Sequence, residues 1–196
     1  MTTKFKLTIP LLCAAMASPL MGGVSPPGAN LQYSMAVSGE ASPSTAAQKE
    51  ATRLLKQVAS RAGATVNHAE TLQSFHLAKQ VSLQSHAYEL ERAKGAVNSM
   101  GRDLDKLQAL RAEALPWQQV VIDQLDPMLT SLAANTTDAI EHLNENRDRL
   151  QLPEYRDAVE NMSAYADQTR DLISAHVDYA NALTKLQRLQ AESAAA

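Results

Sequence analysis

Five histidines are the residues of this chain best suited to metal chemistry. His76 and His176 occupy core positions of the first and last predicted helices, and the predicted packing brings them to nearly one level of the fold. His68 and Asp126 could approach the same level. Imidazole and carboxylate groups on facing helices are how helical bundles hold zinc or iron. These four residues are the candidate metal ligands. We predict no cofactor, because core histidines are more often satisfied by neighbouring Asp, Gln or Thr.

The sequence contains no recognisable catalytic motif. It has no G-x-S-x-G, no glycine-rich phosphate loop and no H-E-x-x-H. Asp123 and Asp126 are close in sequence, but their spacing beside Pro127 is more typical of a helix cap than of an acid/base pair. We therefore predict that the protein is not an enzyme. Trp117, the single tryptophan, is expected to pack at the core or its rim, with a ligand platform as the alternative.

Composition favours an all-α fold. The 196 residues include 7 glycines, 8 prolines and only 4% aromatics, which leaves little material for a sheet. The 18 basic and 21 acidic residues give a net charge of −3. No Lys/Arg cluster could follow a phosphate backbone, so we expect no nucleic-acid partner.

The first 17 residues have the features of a signal peptide. Lys4 and Lys6 precede an apolar run from Leu7 to Ala15, and a small-x-small cleavage site ends at Ala17. The run is too short to span a bilayer, and no later segment is apolar enough to do so. Cleavage would remove Cys13, the only cysteine, so the mature chain has no disulfide. We predict a periplasmic or secreted protein.

The rest of the chain divides into three parts. Residues 18–43 are rich in Pro, Gly and Ser and are predicted to form a flexible leader. Residues 44–191 carry the helical bundle domain, and residues 192–196 are a frayed tail. In the last helix, which begins at Pro153, three adjacent heptad columns form an apolar stripe more than about 100° wide, as in helices packed within bundles. The columns contain Tyr155, Ala158, Val159, Met162, Tyr165, Ala166, Leu172, Ile173, Tyr179, Leu183 and Leu186.

The preceding helices are less regular. The first is predicted to run to Lys94, with a polar seam at His76, Lys79 and His86, and the chain to reverse between Gly95 and Gly101. The second would run from residue 102 to 150 and contain Pro116 and Pro127, at either of which it could kink or break. The fold class is therefore an antiparallel up-down-up bundle of three long helices. The alternative has four helices, with the second broken at Pro116 or Pro127.

One short segment resembles a known family. Leu183-Thr184-Lys185-Leu186-Gln187 is similar to the L-T-x-x-Q motif of the Spy/CpxP-type periplasmic stress proteins, which are small, exported and all-helical. The resemblance implies a chaperone-like or stress-sensor role. It covers five of 196 residues, and the second copy of the motif usual in that family is absent. It is therefore a local likeness, not family membership.

The leading functional hypothesis is an exported, non-enzymatic bundle. It would act through protein–protein contacts, including self-association through helix faces, or as a structural element of the bacterial envelope. A periplasmic chaperone-like protein or stress sensor that binds unfolded chains is one alternative, and it requires an exposed apolar patch. A metal- or ligand-binding bundle is the other.

Overall fold

The computed structural model describes residues 45–78, 81–147 and 149–195. The predicted signal peptide and leader lie outside these residues. Within the described part of the chain all regular structure is helical, which confirms the all-α class. The α-helices are α1 (Ala46–Leu77), α2 (Leu83–Leu110), α3 (Pro116–Glu145) and α4 (Pro153–Ala194), with a 3₁₀ turn (Arg111–Glu113) between α2 and α3.

The helices pack as an antiparallel four-helix bundle. α1 packs against α2 and α4, and α3 packs against the same two helices. Short connections place consecutive helices next to each other, as expected for an up-down-up-down bundle. The core contains the buried side chains of all four helices, including Leu54, Leu72, Leu90, Leu107, Leu125, Leu132, Tyr155, Met162 and Ile173.

The three-helix prediction is wrong because the chain breaks before Pro116, and the first reversal also lies elsewhere than predicted. α2 continues through Gly95 and Gly101, where a helical glycine costs only about 1 kcal/mol. The chain instead reverses between Leu77 and Leu83. The seven-residue series from His76 through Leu83 is unbroken across this turn, so periodicity could not reveal it. The local signal is Ser82, whose hydroxyl accepts a hydrogen bond from the Ser85 amide and caps α2.

The two prolines behave differently. Pro116 occupies the first turn of α3, where its missing N–H breaks no helical hydrogen bond, so the chain breaks there as the alternative prediction allowed. Pro127 lies inside α3 on its exposed face, and the helix continues past it. α1 begins at Ala46 with a capping box, in which Thr45 and Gln48 each bind the other's backbone amide.

One buried charge joins α1 to α2. Asp103 is buried, and its carboxylate pairs with Arg61 of α1 and, at 3.6 Å, with Lys106 of its own helix. Because a buried carboxylate requires such partners, Arg61 fixes the relative position of the two helices. None of the described helices is both long and apolar enough to cross a membrane.

Candidate functional site

α4 is longer than the helices that pack against it. It has 42 residues, whereas α3 has 30. Its buried residues begin at Tyr155 and end at Ile173. Residues 181–195 are all exposed. At 1.5 Å per residue, the part of α4 after Tyr179 extends for about 22 Å.

This exposed part of α4 carries an apolar face that no described residue covers. Its large side chains, here named the α4 stripe, are Tyr179, Leu183, Leu186 and Leu189, which are 58%, 41%, 55% and 46% exposed. The sequence predicted Leu183 and Leu186 as core positions, and the structure places them on the surface. Four large apolar residues on one helix face differ from singly scattered surface residues, and such patches mark interaction sites.

An apolar groove adjoins the start of the α4 stripe. It forms between the beginning of α3 and the middle of α4, has a volume of about 380 Å³, and is lined by Pro116, Trp117, Val120, Ala175, His176 and Tyr179. Tyr179 belongs to both features, so the Trp117 groove and the α4 stripe form one continuous surface. Trp117, predicted to lie at the core or its rim, is half-buried at the wall of this groove.

The start of α3 is held in place by a hydrogen-bonded glutamine. Gln118 is buried, and its side-chain amide donates to the Gln48 carbonyl at 2.9 Å and to the Thr52 hydroxyl at 2.8 Å. The Gln118 side-chain oxygen accepts from the Leu115 amide at 2.8 Å and caps α3. These bonds fix α3 against α1, so the neighbouring Trp117 has a defined position in the groove wall.

His176 is one of three groove residues with a polar side-chain atom, beside Trp117 and Tyr179. Its Nδ1–H donates to the Leu172 carbonyl one turn earlier in α4, at 2.9 Å. That bond fixes the tautomer of the neutral ring, with Nε2 as the acceptor. A neutral His176 ring can therefore accept one hydrogen bond at Nε2.

A histidine cluster lies at the opposite end of the bundle. The His76, His86 and His142 rings surround Tyr155, with centroids 5.4, 5.7 and 5.5 Å from its ring. Nδ1 of His86 shares a hydrogen bond with the Tyr155 hydroxyl at 3.0 Å, and Phe75 packs edge-on against His86 at 5.0 Å. The cluster joins the ends of α1 and α3 to the starts of α2 and α4.

Burial favours the neutral imidazoles of His76 and His86 by lowering the pKa of each ring. His86 is only 4% exposed, and desolvation, together with the charge His76 would carry, lowers its pKa to about 4. Desolvation and the nearby Arg156 lower the pKa of His76, with Glu160 acting in the opposite direction. Burial also raises the pKa of the Tyr155 hydroxyl. The Nε2 atom of His76 is buried without a hydrogen-bond partner, which further disfavours a charged ring there.

The structure does not bring the four candidate metal ligands together. His76 contacts Tyr155, but His176 is 21 residues further along α4, about 32 Å away along the helix axis. The prediction that these two histidines lie near one level is therefore wrong, because the earlier reversal after Leu77 and the additional break before Pro116 change the levels of the later residues. His68 pairs with Glu89 of α2 at 2.6 Å, and Asp126 is exposed on α3. No three His, Cys, Asp or Glu side chains among the described residues are arranged to hold a metal ion.

Asp123 has a structural partner. Its carboxylate accepts two hydrogen bonds of 2.6 Å from the Arg111 guanidinium, which lowers the pKa of Asp123 and raises that of Arg111. The pair links the 3₁₀ turn to α3, close to the groove.

Sequence reasoning did not predict the histidine cluster or the Trp117 groove, because both form where helices begin or end. His142 and Tyr155 join His76 and His86 only because four helices end at one place. The Trp117 groove exists only because α3 begins beside Ala175 and Tyr179 of α4. The Pro116-Trp117 pair was the available signal, since a proline at the start of a helix places the next side chain at the bundle end.

Comparison of the chain with protein-family models, with curated proteins and with solved structures gives no match.

Proposed function

We propose that this chain is an exported, non-enzymatic helical-bundle protein that acts through contacts with other proteins, as a binding partner or as a structural element of the bacterial envelope. The contact surface in this proposal is the α4 stripe with the Trp117 groove. The observation that carries it is a helix that is buried at Tyr155 and Ile173 but exposes Leu183 and Leu186 in the same heptad pattern.

The physical argument rests on the cost of exposing apolar side chains. Burying a leucine side chain is worth about 1.5–3 kcal/mol relative to leaving it in water. In the isolated chain the three leucines and the tyrosine of the α4 stripe contribute little of that free energy, because they are exposed to water. A partner that covers them would regain it, and the adjoining groove can receive a side chain of that partner.

Export is proposed on the basis of the first 17 residues. Lys4 and Lys6, the short apolar run and the cleavage site at Ala17 support this half of the function. The test is mass spectrometry of the protein recovered from the cell envelope. We expect a mature chain that begins at Ser18, and recovery from the cytoplasm with residues 1–17 retained would contradict export.

Site-specific photo-crosslinking tests the contact surface. A photoreactive amino acid in place of Leu186 should form a crosslinked product in cells of the organism of origin, because this side chain lies within the proposed contact surface. The matched control is the same substitution at Asn181, an exposed residue on the opposite face of α4. Equal crosslinking at both positions, or none at Leu183, Leu186 and Leu189, would contradict the proposed surface.

A chaperone-like binder of unfolded chains is the second candidate, and the exposed α4 stripe also favours it. It requires that the protein suppress aggregation of an unfolded model client at a near-stoichiometric ratio. Replacing Leu183, Leu186 and Leu189 by Gln should abolish this effect, and replacing Asn181 by Gln should not. Absence of suppression by the unmodified protein would exclude this candidate.

A further inference from the structure

We propose that the α4 stripe is covered by helix α4 of a second copy of this chain, at its Tyr179, Leu183 and Trp117 groove, packed antiparallel about a twofold axis at the sequence level of residues 181 and 182. This inference rests on the proposed function and names the partner. Four features of α4 favour it: the position of its charges, the continuity of stripe and groove, the small residue at the axis, and the pattern of charges along one flank.

The charges of the exposed part of α4 all avoid the stripe. At about 100° per residue, Leu183, Leu186 and Leu189 lie within about 80° of Tyr179 around the helix. The charged residues from His176 onward lie outside that sector, and they are Asp178, Lys185, Arg188 and Glu192. An uncharged face of this width fits an apolar helix face better than a charged ligand or a nucleic acid.

The stripe and the groove are complementary parts of one surface. A twofold interface brings the same patch of both copies together, so a ridge and a concavity on one patch can fill each other. Antiparallel packing directs the second copy's helix back along α4 toward the Trp117 groove. With the axis at the level of Asn181, Leu183 of each copy lies opposite Tyr179 of the other, and Leu186 lies opposite its His176. The ridge of each copy then covers the groove of the other.

The residue at the axis allows close approach. Ala182 lies on the stripe side of α4, between Tyr179 and Leu186, and it is exposed. A small residue at the crossing point lets two helices approach more closely than a leucine would. The larger side chains on either side of Ala182 then interdigitate.

Two flank charges select the antiparallel direction. Asp178 and Lys185 are seven residues apart, border the stripe on the side of Leu189, and form no ion pair with another described residue. The proposed axis lies midway between them, so Asp178 of each copy faces Lys185 of the other. A parallel pair would place these flanks on opposite sides of the interface. Exposed ion pairs contribute little free energy, so their role is to set register.

The first experiment measures the oligomeric state of the full chain by sedimentation. We expect a concentration-dependent dimer with a blue shift of the Trp117 fluorescence, because the second copy covers the groove. Leu183→Gln with Leu186→Gln should weaken the dimer more than about a hundredfold, since burial of several leucines is lost. Asn181→Gln is the control and should leave it unchanged.

Charge exchange and disulfide trapping test the direction. Asp178→Lys and Lys185→Asp should each weaken the dimer about threefold to tenfold, and the double exchange should restore it. With Cys13→Ser, a disulfide should form between copies that carry Ala182→Cys, but not between copies that carry Leu189→Cys. Trapping at Leu189→Cys alone would show parallel packing and overturn the proposal.

The outcome separates this inference from the proposed function. A chain that stays monomeric at about 100 μM, far above the concentrations of specific complexes, overturns self-association. If Leu186 still crosslinks to a different protein in cells, the contact surface stands and only the identity of the partner is wrong. If Leu186 crosslinks to nothing, both proposals fail.

Discussion

The two halves of α4 have the same sequence pattern and opposite environments. From Tyr155 to Ile173 the heptad columns are buried against α1 and α3. From Tyr179 onward the same columns are exposed. The pattern alone therefore specifies which face of the helix is apolar. It does not specify whether another part of the same chain covers that face.

The difference arises where the neighbouring helices begin. α3 starts at Pro116, beside Ala175 and Tyr179, and Gln118 joins that level to the first turns of α1. Beyond it, residues 181–195 of α4 are all exposed. A helix that continues for about four turns past its partners places its apolar face where only another molecule can bury it.

The largest difference between the halves should appear in core truncation. Ile173→Ala removes side-chain atoms from a position that is 1% exposed, so we expect a loss of about 3 kcal/mol in the free energy of unfolding. Leu183→Ala, one and a half heptads later, should change it by less than about 0.5 kcal/mol. Urea denaturation below about 1 μM, where association contributes little, measures both. Equal losses would mean that the overhanging half is also part of the monomer core.

Acidification should destabilise the buried half. The pKa of His86 falls from 6.5 to about 4 on folding, so the unfolded chain binds more protons between these values. The stability that comes from burying neutral His86 is therefore present above pH 6.5 and is lost as the pH falls toward 4. The rings of His76 from α1 and Tyr155 from α4 face His86, and His142 from α3 packs on Tyr155. Between pH 7 and 5 we expect a loss of about 2 kcal/mol from His86, and more with His76.

Denaturation at the two pH values measures this effect. His86→Leu should remove most of the pH-dependent loss, whatever its effect on stability at pH 7. His176→Leu is the matched control, because His176 lies in the groove at the other end of the bundle. An unchanged pH dependence in His86→Leu would show that the histidine cluster does not control it.

Sequence alone predicted the start of α4 and the identity of its apolar face correctly. Pro153 begins the helix as expected, and Tyr155, Met162 and Ile173 are buried. These features are local, since they depend on a proline at the first turn and on a seven-residue period. The sequence also offered a break at Pro116 as an alternative to a kink. That alternative is local too, because it depends on a proline at the first turn of a helix.

The first reversal and both sites could not be predicted because they depend on contacts distant in sequence. No Gly or Pro marks the turn after Leu77, and the heptad register continues through it. The predicted polar seam was the best indication. His76 and His86 occupy core columns of a supposed single helix because they flank a helix end, where polar groups are easier to accommodate. Lys79 lies outside the described residues.

Removing one hydroxyl tests how tightly the start of α4 is held. Tyr155→Phe deletes the hydrogen bond to Nδ1 of His86 while keeping the buried ring. We expect a loss of about 1 to 1.5 kcal/mol, because one net hydrogen bond disappears and the His86 nitrogen is left without its partner. Denaturant unfolding at pH 7 measures the change. A stability equal to that of the unmodified chain would mean that water replaces the hydroxyl and the end of the bundle is more open.

The smallest effect on monomer stability is expected from deletion of the exposed end of α4. Among the described residues, a chain that ends at Ala180 lacks only exposed ones, including Leu183, Leu186 and Leu189. Because these side chains are exposed, the free energy of unfolding below about 1 μM should change by less than about 0.5 kcal/mol. Deletion from the other half, by ending the chain at Ala166, removes Thr169 and Ile173 and should prevent stable folding. If the chain ending at Ala180 loses more than about 2 kcal/mol, residues 181–196 contribute to the folded monomer, and the contrast between the two halves of α4 is smaller than their exposure indicates.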